Sequence, residues 1–176
     1  MSEMAEKFLM ASGKLQALCY KYEIERNLRT PDYSGFQLLA LNDYSGQGTA
    51  LEGVLNVFWR EKGYVNGDQW RQFCSEIVPL ARFSRFVYSN QDTARVPLEV
   101  MNASAARLEN AVLSYSVVSD DGDIVASGKF DMGEVPIGKN NKAGTVELPL
   151  SSFNKPMRLT LKATLGNKAG NSWQFW

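Results

Sequence analysis

At about Arg82 the apolar residues of this chain change spacing, and that change limits the fold more than any other feature. Before it, apolar side chains recur at three- and four-residue steps. After it they alternate. Residues 94–102 place Val96, Leu98 and Val100 on one side. Residues 85–88, 111–118, 124–130, 135–137, 145–150, 157–163 and 171–176 read as further short strands. Turn signals separate them: Asp120-Asp121-Gly122-Asp123, a polar loop over 138–144, and a turn over 167–170. Short alternating strands at regular spacing predict a β-sandwich of immunoglobulin or fibronectin type III kind. The cysteine pair and tryptophan of true immunoglobulin domains are missing, so the fibronectin variant is the closer expectation.

The N-terminal part follows other rules. Residues 3–29 read as a helix with Phe8, Ala11, Leu15, Leu18 and Tyr22 on one apolar face. Gly13 weakens it, Arg26 and Arg29 suit its negative end, and Thr30-Pro31 stops it. Residues 31–35 form a turn. Phe36-Gln37-Leu38-Leu39-Ala40-Leu41 then reads as a strand buried on both faces, as in a parallel sheet. The polar cluster at residues 42–49 follows its carboxyl end, where α/β folds place ligand-facing loops. Only one such strand is present, and a parallel strand needs neighbours. The chain, which stops on Gln174-Phe175-Trp176, is therefore expected to be the end of something larger. Residues 50–62 read as a short helix or irregular packed segment. Asn66 and Gln69 form a capping-box pattern opening a helix with Trp70, Phe73 and Ile77 on one face, ended by Pro79.

Composition removes several classes of function. There is no histidine, which excludes histidine-assisted serine or cysteine nucleophiles and histidine-ligated metal sites. Lys+Arg and Asp+Glu both number 19, so net charge gives no support to nucleic-acid binding. No apolar run is long enough to span a membrane, and no basic n-region with an apolar h-region opens the chain. No cofactor is expected. Cys19 and Cys74 read as buried free thiols, with a disulfide between them left open.

Three phrases carry a family resemblance: GKLQALCYKYEIE from Gly13, GFQLLALNDYSGQGTALEGVL from Gly35, and NSWQFW from Asn171. They resemble bacterial glycoside hydrolases related to family 2, the β-galactosidase- and β-mannosidase-like enzymes. The resemblance is strongest over residues 15–63 and mainly architectural over the sandwich. It implies the following organisation. Residues 1–62 would be the last helix, eighth strand and following loop of a catalytic (β/α)8 barrel. Residues 63–81 would be a connecting helical segment, and residues 82–176 an immunoglobulin-like sandwich. It also implies a parent enzyme that degrades polysaccharide in the periplasm or at the cell surface. Such enzymes are retaining, with acid/base and nucleophile glutamates roughly 5 Å apart. Both would lie upstream of Met1, so the chain alone would be inactive and no catalytic residue is assigned. The loop after the eighth strand borders the sugar cleft in the family. Asn42, Asp43 and Gln47 would then bond sugar hydroxyls, and Tyr44 would stack on a pyranose.

Plainer readings compete at each position. Asn42 and Asp43 also suit a strand-end turn whose side chains cap backbone groups. Ser45-Gly46-Gln47-Gly48 lacks the lysine of a phosphate loop. Asp120 to Asp123 reads as a hairpin turn before a calcium loop. Trp59, Trp70, Trp173 and Trp176 suit core or interface packing before a sugar platform. Glu52, Glu61 and Glu76 are candidate acids only if the catalytic pair is not upstream. An independent carbohydrate- or protein-binding module is the alternative function. A barrel helix and strand without their neighbours would expose apolar surface, so a homodimer is a further expectation.

Overall fold

The computed structural model describes residues 2–46 and 51–176. The chain divides into two compact units, one of residues 1–28 with 32–74, the other of residues 29–31 with 75–176.

The second unit is built from seven strands: β1 (Ile77–Ala81), β2 (Thr93–Asn102), β3 (Leu108–Ser119), β4 (Ile124–Val135), β5 (Gly138–Pro149), β6 (Leu159–Leu165) and β7 (Ala169–Phe175). They form two antiparallel sheets, one ordered β1-β2-β5 and the other β4-β3-β6-β7. Strand alternation makes the two sheets close on each other. Each sheet turns one face inward, and Val96, Leu98 and Val100 of β2 meet Leu113 and Val117 of β3, Leu161 and Ala163 of β6, and Trp173 and Phe175 of β7 in one core. The hairpin between β3 and β4 is the expected one. Ser119 and Asp123 pair through backbone, and Gly122 sits at φ 91° where a side chain would be strained.

Two buried asparagines cross between the sheets. The Asn171 amide of β7 donates to the Pro79 carbonyl of β1 at 2.9 Å. The Asn102 amide of β2 donates to the Val135 carbonyl of β4 at 3.2 Å and to the Ala106 carbonyl at 3.0 Å. Its side-chain oxygen accepts from the Ser104 N–H and hydroxyl. Every polar atom of Asn102 is thus satisfied in a fully buried position, which is what burial demands. Beside them Arg82 grips the buried Glu99 carboxylate through both of its oxygens, at 2.9 and 3.0 Å.

Several sequence expectations are corrected in this unit. Residues 138–144 belong to β5 and are not a loop. Bulges shift the β2–β5 register, and the Asn141 amide holds the irregular backbone by donating to the carbonyls of Val100, Pro136 and Gly138. Residues 85–88 form no strand, although Tyr88 and Phe86 still bond the backbone of Trp176. Ile77 and Pro79 lie in β1, an edge strand that tolerates proline, and not on a helix.

The first unit holds α1 (Ser2–Arg29) and α2 (Gly67–Arg71) joined by irregular chain. The capping box is present as expected: Asn66 accepts from Gln69 N–H, and the Gln69 side chain accepts from Asn66 N–H. The buried parallel strand at residues 36–41 is not. The segment is irregular, Leu39 is 89% exposed, and Ala40 sits at φ 63°, which breaks an extended run. Among the described residues no strand pairs with it: the Leu41 carbonyl accepts from the Leu55 N–H at 3.1 Å, and an isolated parallel bridge joins the next residue, Asn42, to Leu55. Residues 51–62 are likewise irregular. The expected apolar face of α1 is outward: Phe8, Leu15, Leu18 and Tyr22 are exposed. The covered face is the opposite one. A side chain at Gly13 would collide with the Tyr64 ring that lies against it, and Tyr20 meets the edge of Trp70. Cys19 is exposed and Cys74 half-buried, both as free thiols, so the expectation of two buried thiols does not hold for Cys19.

Replacing Asn171 by alanine removes a buried cross-sheet hydrogen bond and is expected to cost about 1–3 kcal/mol. Leu113→Ala, which opens a cavity, is expected to cost about 2–5 kcal/mol. Urea unfolding followed by fluorescence of the buried Trp173 measures both. An unchanged midpoint for Asn171→Ala would refute the role given to the amide.

Candidate functional site

Of the four residues singled out after the apolar run, three lie among those described and they play different parts. Asp43 is buried, 6% exposed. Its Oδ1 accepts from the Lys62 ammonium at 2.7 Å and from the Gly53 N–H at 3.0 Å. Lys62 also donates to the Leu51 carbonyl. Gly53 is required here, since a Cβ would fall within 2.6 Å of the Asn42–Asp43 backbone. Asp43 therefore pins the two sides of a loop together. Asn42 bonds the Asp43 carbonyl with its amide and is half-buried. Tyr44 is exposed. Gln47 lies outside the described residues, as do Gly48 and Thr49.

Below this node the Tyr64 hydroxyl sits within 3.0 Å of the Gln16 side-chain oxygen and 3.2 Å of the Gly53 carbonyl. Burial raises the Tyr64 phenol above its ordinary range, and the charges of Asp43 and Tyr20 push the same way. Burial also raises the Cys74 thiol, against a hydrogen bond with Trp70. A thiol raised in this way is poorly suited to nucleophilic work. Of the other acids considered, Glu61 caps the N–H of Gly67. The Gln16 amide donates to the backbone carbonyl of Glu52. Among the described residues no group of three or more carboxylates and cysteines is placed to hold a metal ion.

A second place was not legible in sequence. The sandwich unit carries a cleft of about 410 Å³ lined by aromatic and apolar side chains, including Tyr88, Phe153, Met157 and Trp176. Ser89, Asn90, Asn154 and Lys155 add polar groups to its lining. The Tyr88 hydroxyl is buried and finds no hydrogen-bond partner among the described residues, an exception to ordinary packing. One face of the Tyr88 ring is covered by Arg85 and its edge meets Phe175. Trp176 is 51% exposed, whereas Trp173 is core. Arg85 also pairs with Asp92 at 2.8 Å. The Ser89 N–H, then the Ser89 hydroxyl and Arg85, hold the Asp92 carboxyl below its usual range. The cleft gathers residues from three separate stretches of sequence, which is why spacing along the chain gives no sign of it.

With this geometry in place, known proteins offer a partial comparison. A family profile described as a domain of unknown function, DUF8488, matches residues 92–176, which run from the turn before β2 through β7. No curated protein matches the chain. Among solved structures, activated alpha-2-macroglobulin of Escherichia coli is 18% identical over 56% of this chain and 8% of its own, with a TM-score of 0.45. Parabacteroides merdae β-glucuronidase is 15% identical over 57% of this chain and 14% of its own, with a TM-score of 0.39. A β-glucuronidase from glycoside hydrolase family 2 is 16% identical over 55% and 10%, with a TM-score of 0.36. Family 2 enzymes are thus among the structures this chain is similar to, at low identity and over a small part of their length.

Lys62→Met leaves the Asp43 carboxylate buried without its cation. That change is expected to destabilise the first unit by about 3 kcal/mol. Amide hydrogen exchange at Gly53 and Leu55 reads it locally, and protection equal to the unsubstituted chain would show the pair to be incidental.

Proposed function

We propose that this chain is the C-terminal accessory region of a family 2-like, exported glycoside hydrolase, with the catalytic glutamates upstream of Met1. The supporting observation is the run of large apolar side chains left exposed between residues 36 and 59. Phe36, Leu39, Leu51, Phe58 and Trp59 all face solvent. Exposed apolar surface on this scale fits an element whose packing partner is elsewhere in a larger protein. The residue phrases from Gly13, Gly35 and Asn171 point to the same enzymes, and the two antiparallel sheets fit the immunoglobulin-like sandwich that follows the barrel in them. In this reading Asp43 shapes the loop, while Asn42, Tyr44 and Gln47 border the sugar cleft of the assembled enzyme. Among the described residues no helix is long and apolar enough to cross a membrane, and none is needed here. The chain alone is expected to release no product from chromogenic β-glycosides. The complete coding sequence is expected to encode a (β/α)8 barrel with two glutamates before Met1. A complete protein without such a region would defeat this reading.

The aromatic cleft of the sandwich favours a second reading, a carbohydrate-binding module. Trp176 offers an exposed ring for stacking. The amides of Asn90 and Asn154 and the ammonium of Lys155 supply polar groups of the kind that bond hydroxyls. Isothermal titration with a panel of oligosaccharides tests it. Binding that Trp176→Ala weakens about two- to tenfold would support this reading, since stacked rings contribute on the order of 0.5–1.5 kcal/mol. Absence of binding to every sugar would remove it.

A further inference from the structure

We infer, independently of the function proposed above, that the outward side of α1 is a docking surface for an amphipathic helix from outside residues 1–176, one that carries acidic residues beside its apolar stripe. Met4, Phe8, Ala11, Leu15, Leu18 and Tyr22 follow one another at steps of four, three, four, three and four residues. That is an uninterrupted heptad seam over nearly three heptads, about 28 Å of helix. Phe8 is 65% exposed and Leu15 and Leu18 are each 62% exposed. A surface helix of a folded unit ordinarily turns such a stripe inward. Here the first unit covers the opposite side of α1, at Gly13, Tyr20 and Ile24, and leaves the seam free.

Area and charge together decide the occupant. Five large side chains each presenting on the order of 100 Å² give a matched pair of helices an interface of about 1,000 Å² in total, the lower limit for a specific contact. Size alone therefore admits either a second copy or a different helix. The flanks of the seam separate the two. One flank carries Lys7, Lys14 and Lys21 at heptad spacing, and the other carries Ala5, Ser12 and Cys19. Lys21 is engaged by Glu25 at 2.5 Å and lies over the Phe73 ring. Lys7 and Lys14 are exposed and have no ion-pair partner among the described residues. An antiparallel second copy sets Lys14 against Lys14 and Lys7 against Lys21. A parallel copy sets lysines against Ser12 and Cys19. Neither arrangement offers a carboxylate to Lys7 or Lys14, whereas glutamates flanking a foreign stripe would pair with both.

The test uses the full chain and two synthetic peptides of about three heptads. Both have leucine at the two seam positions. One has glutamate at all flanking positions and the other has lysine. Fluorescence anisotropy should show the glutamate peptide binding at least about tenfold more tightly, with affinity falling as salt rises from about 0.05 to 0.5 M. The double substitution Leu15→Glu with Leu18→Glu should abolish binding while circular dichroism shows the helix retained. Lys7→Glu with Lys14→Glu should reverse the order of the two peptides, an outcome that loss of folding would not produce. Equal binding of both peptides, or binding of neither, would overturn the inference. So would a dimer of the chain in sedimentation equilibrium that the leucine substitutions dissolve, since a second copy would then be the occupant.

Discussion

The sandwich depends on keeping two sheets in one register across a core that is otherwise purely apolar. Hydrophobic burial drives the sheets together but does not tell them where to stop, because leucine and valine contacts are nearly indifferent to sliding. The two asparagine amides supply that information. Asn171 reaches from β7 to the Pro79 carbonyl, and Asn102 reaches from β2 to Val135 at the end of β4. Each donates in a buried setting where a missed bond leaves a polar group unpaired, so a displaced sheet is penalised where a displaced leucine is not. The Arg82–Glu99 pair adds a third directional constraint on β2. These polar points lie on β1, β2, β4 and β7, so both sheets are fixed.

The first unit solves a different problem. It has little regular structure between its two helices, so its backbone has no ladder to hold it. The buried carboxylate of Asp43 takes over, drawing both the Lys62 ammonium and the Gly53 N–H to its Oδ1. A buried ion pair contributes little net stability when both partners are present, yet it makes alternatives expensive because each charge needs the other. Gly53 and Gly13 complete the arrangement by letting backbone and ring approach where no other residue fits. The site expected to face a sugar is therefore partly committed to holding its own loop.

How legible this was in the sequence varied with how local the determining physics is. The end of α1 near Thr30-Pro31, the capping box at Asn66 and the hairpin at Gly122 are set by a few adjacent residues, and they lie where the residues put them. The alternation at Val96, Leu98 and Val100 is similarly direct. The strand expected at residues 36–41 failed because a strand is a property of its neighbours. An apolar run without partner strands has no ladder to join, and Ala40 turns out of the extended region. The polar residues 138–144 were hidden for the converse reason, since a bulged ladder against β2 holds them extended despite their composition. The aromatic cleft gathers distant residues and has no signature in spacing.

The helix α1 carries this lesson furthest. Periodicity identified its apolar stripe correctly as a stripe but could not say what lies against it. The inward side is settled by Gly13 and Tyr20, residues that a hydrophobicity pattern ranks low, because the close fit of the Tyr64 ring on Gly13 and the edge contact of Tyr20 with Trp70 outweigh simple apolarity. A helix with two usable faces has one more than its own unit requires. The face that shape complementarity claims is covered within the unit, and the face with the more regular heptad spacing is left over. Heptad spacing answers to the geometry of another helix, not to an irregular loop. The unit's own packing elements against α1 are a tyrosine-bearing loop and a five-residue helix, neither of which can follow a seam of 28 Å or so. The outward stripe is thus what remains when a long helix is packed by short elements, and its regularity is the property that a second long helix would use.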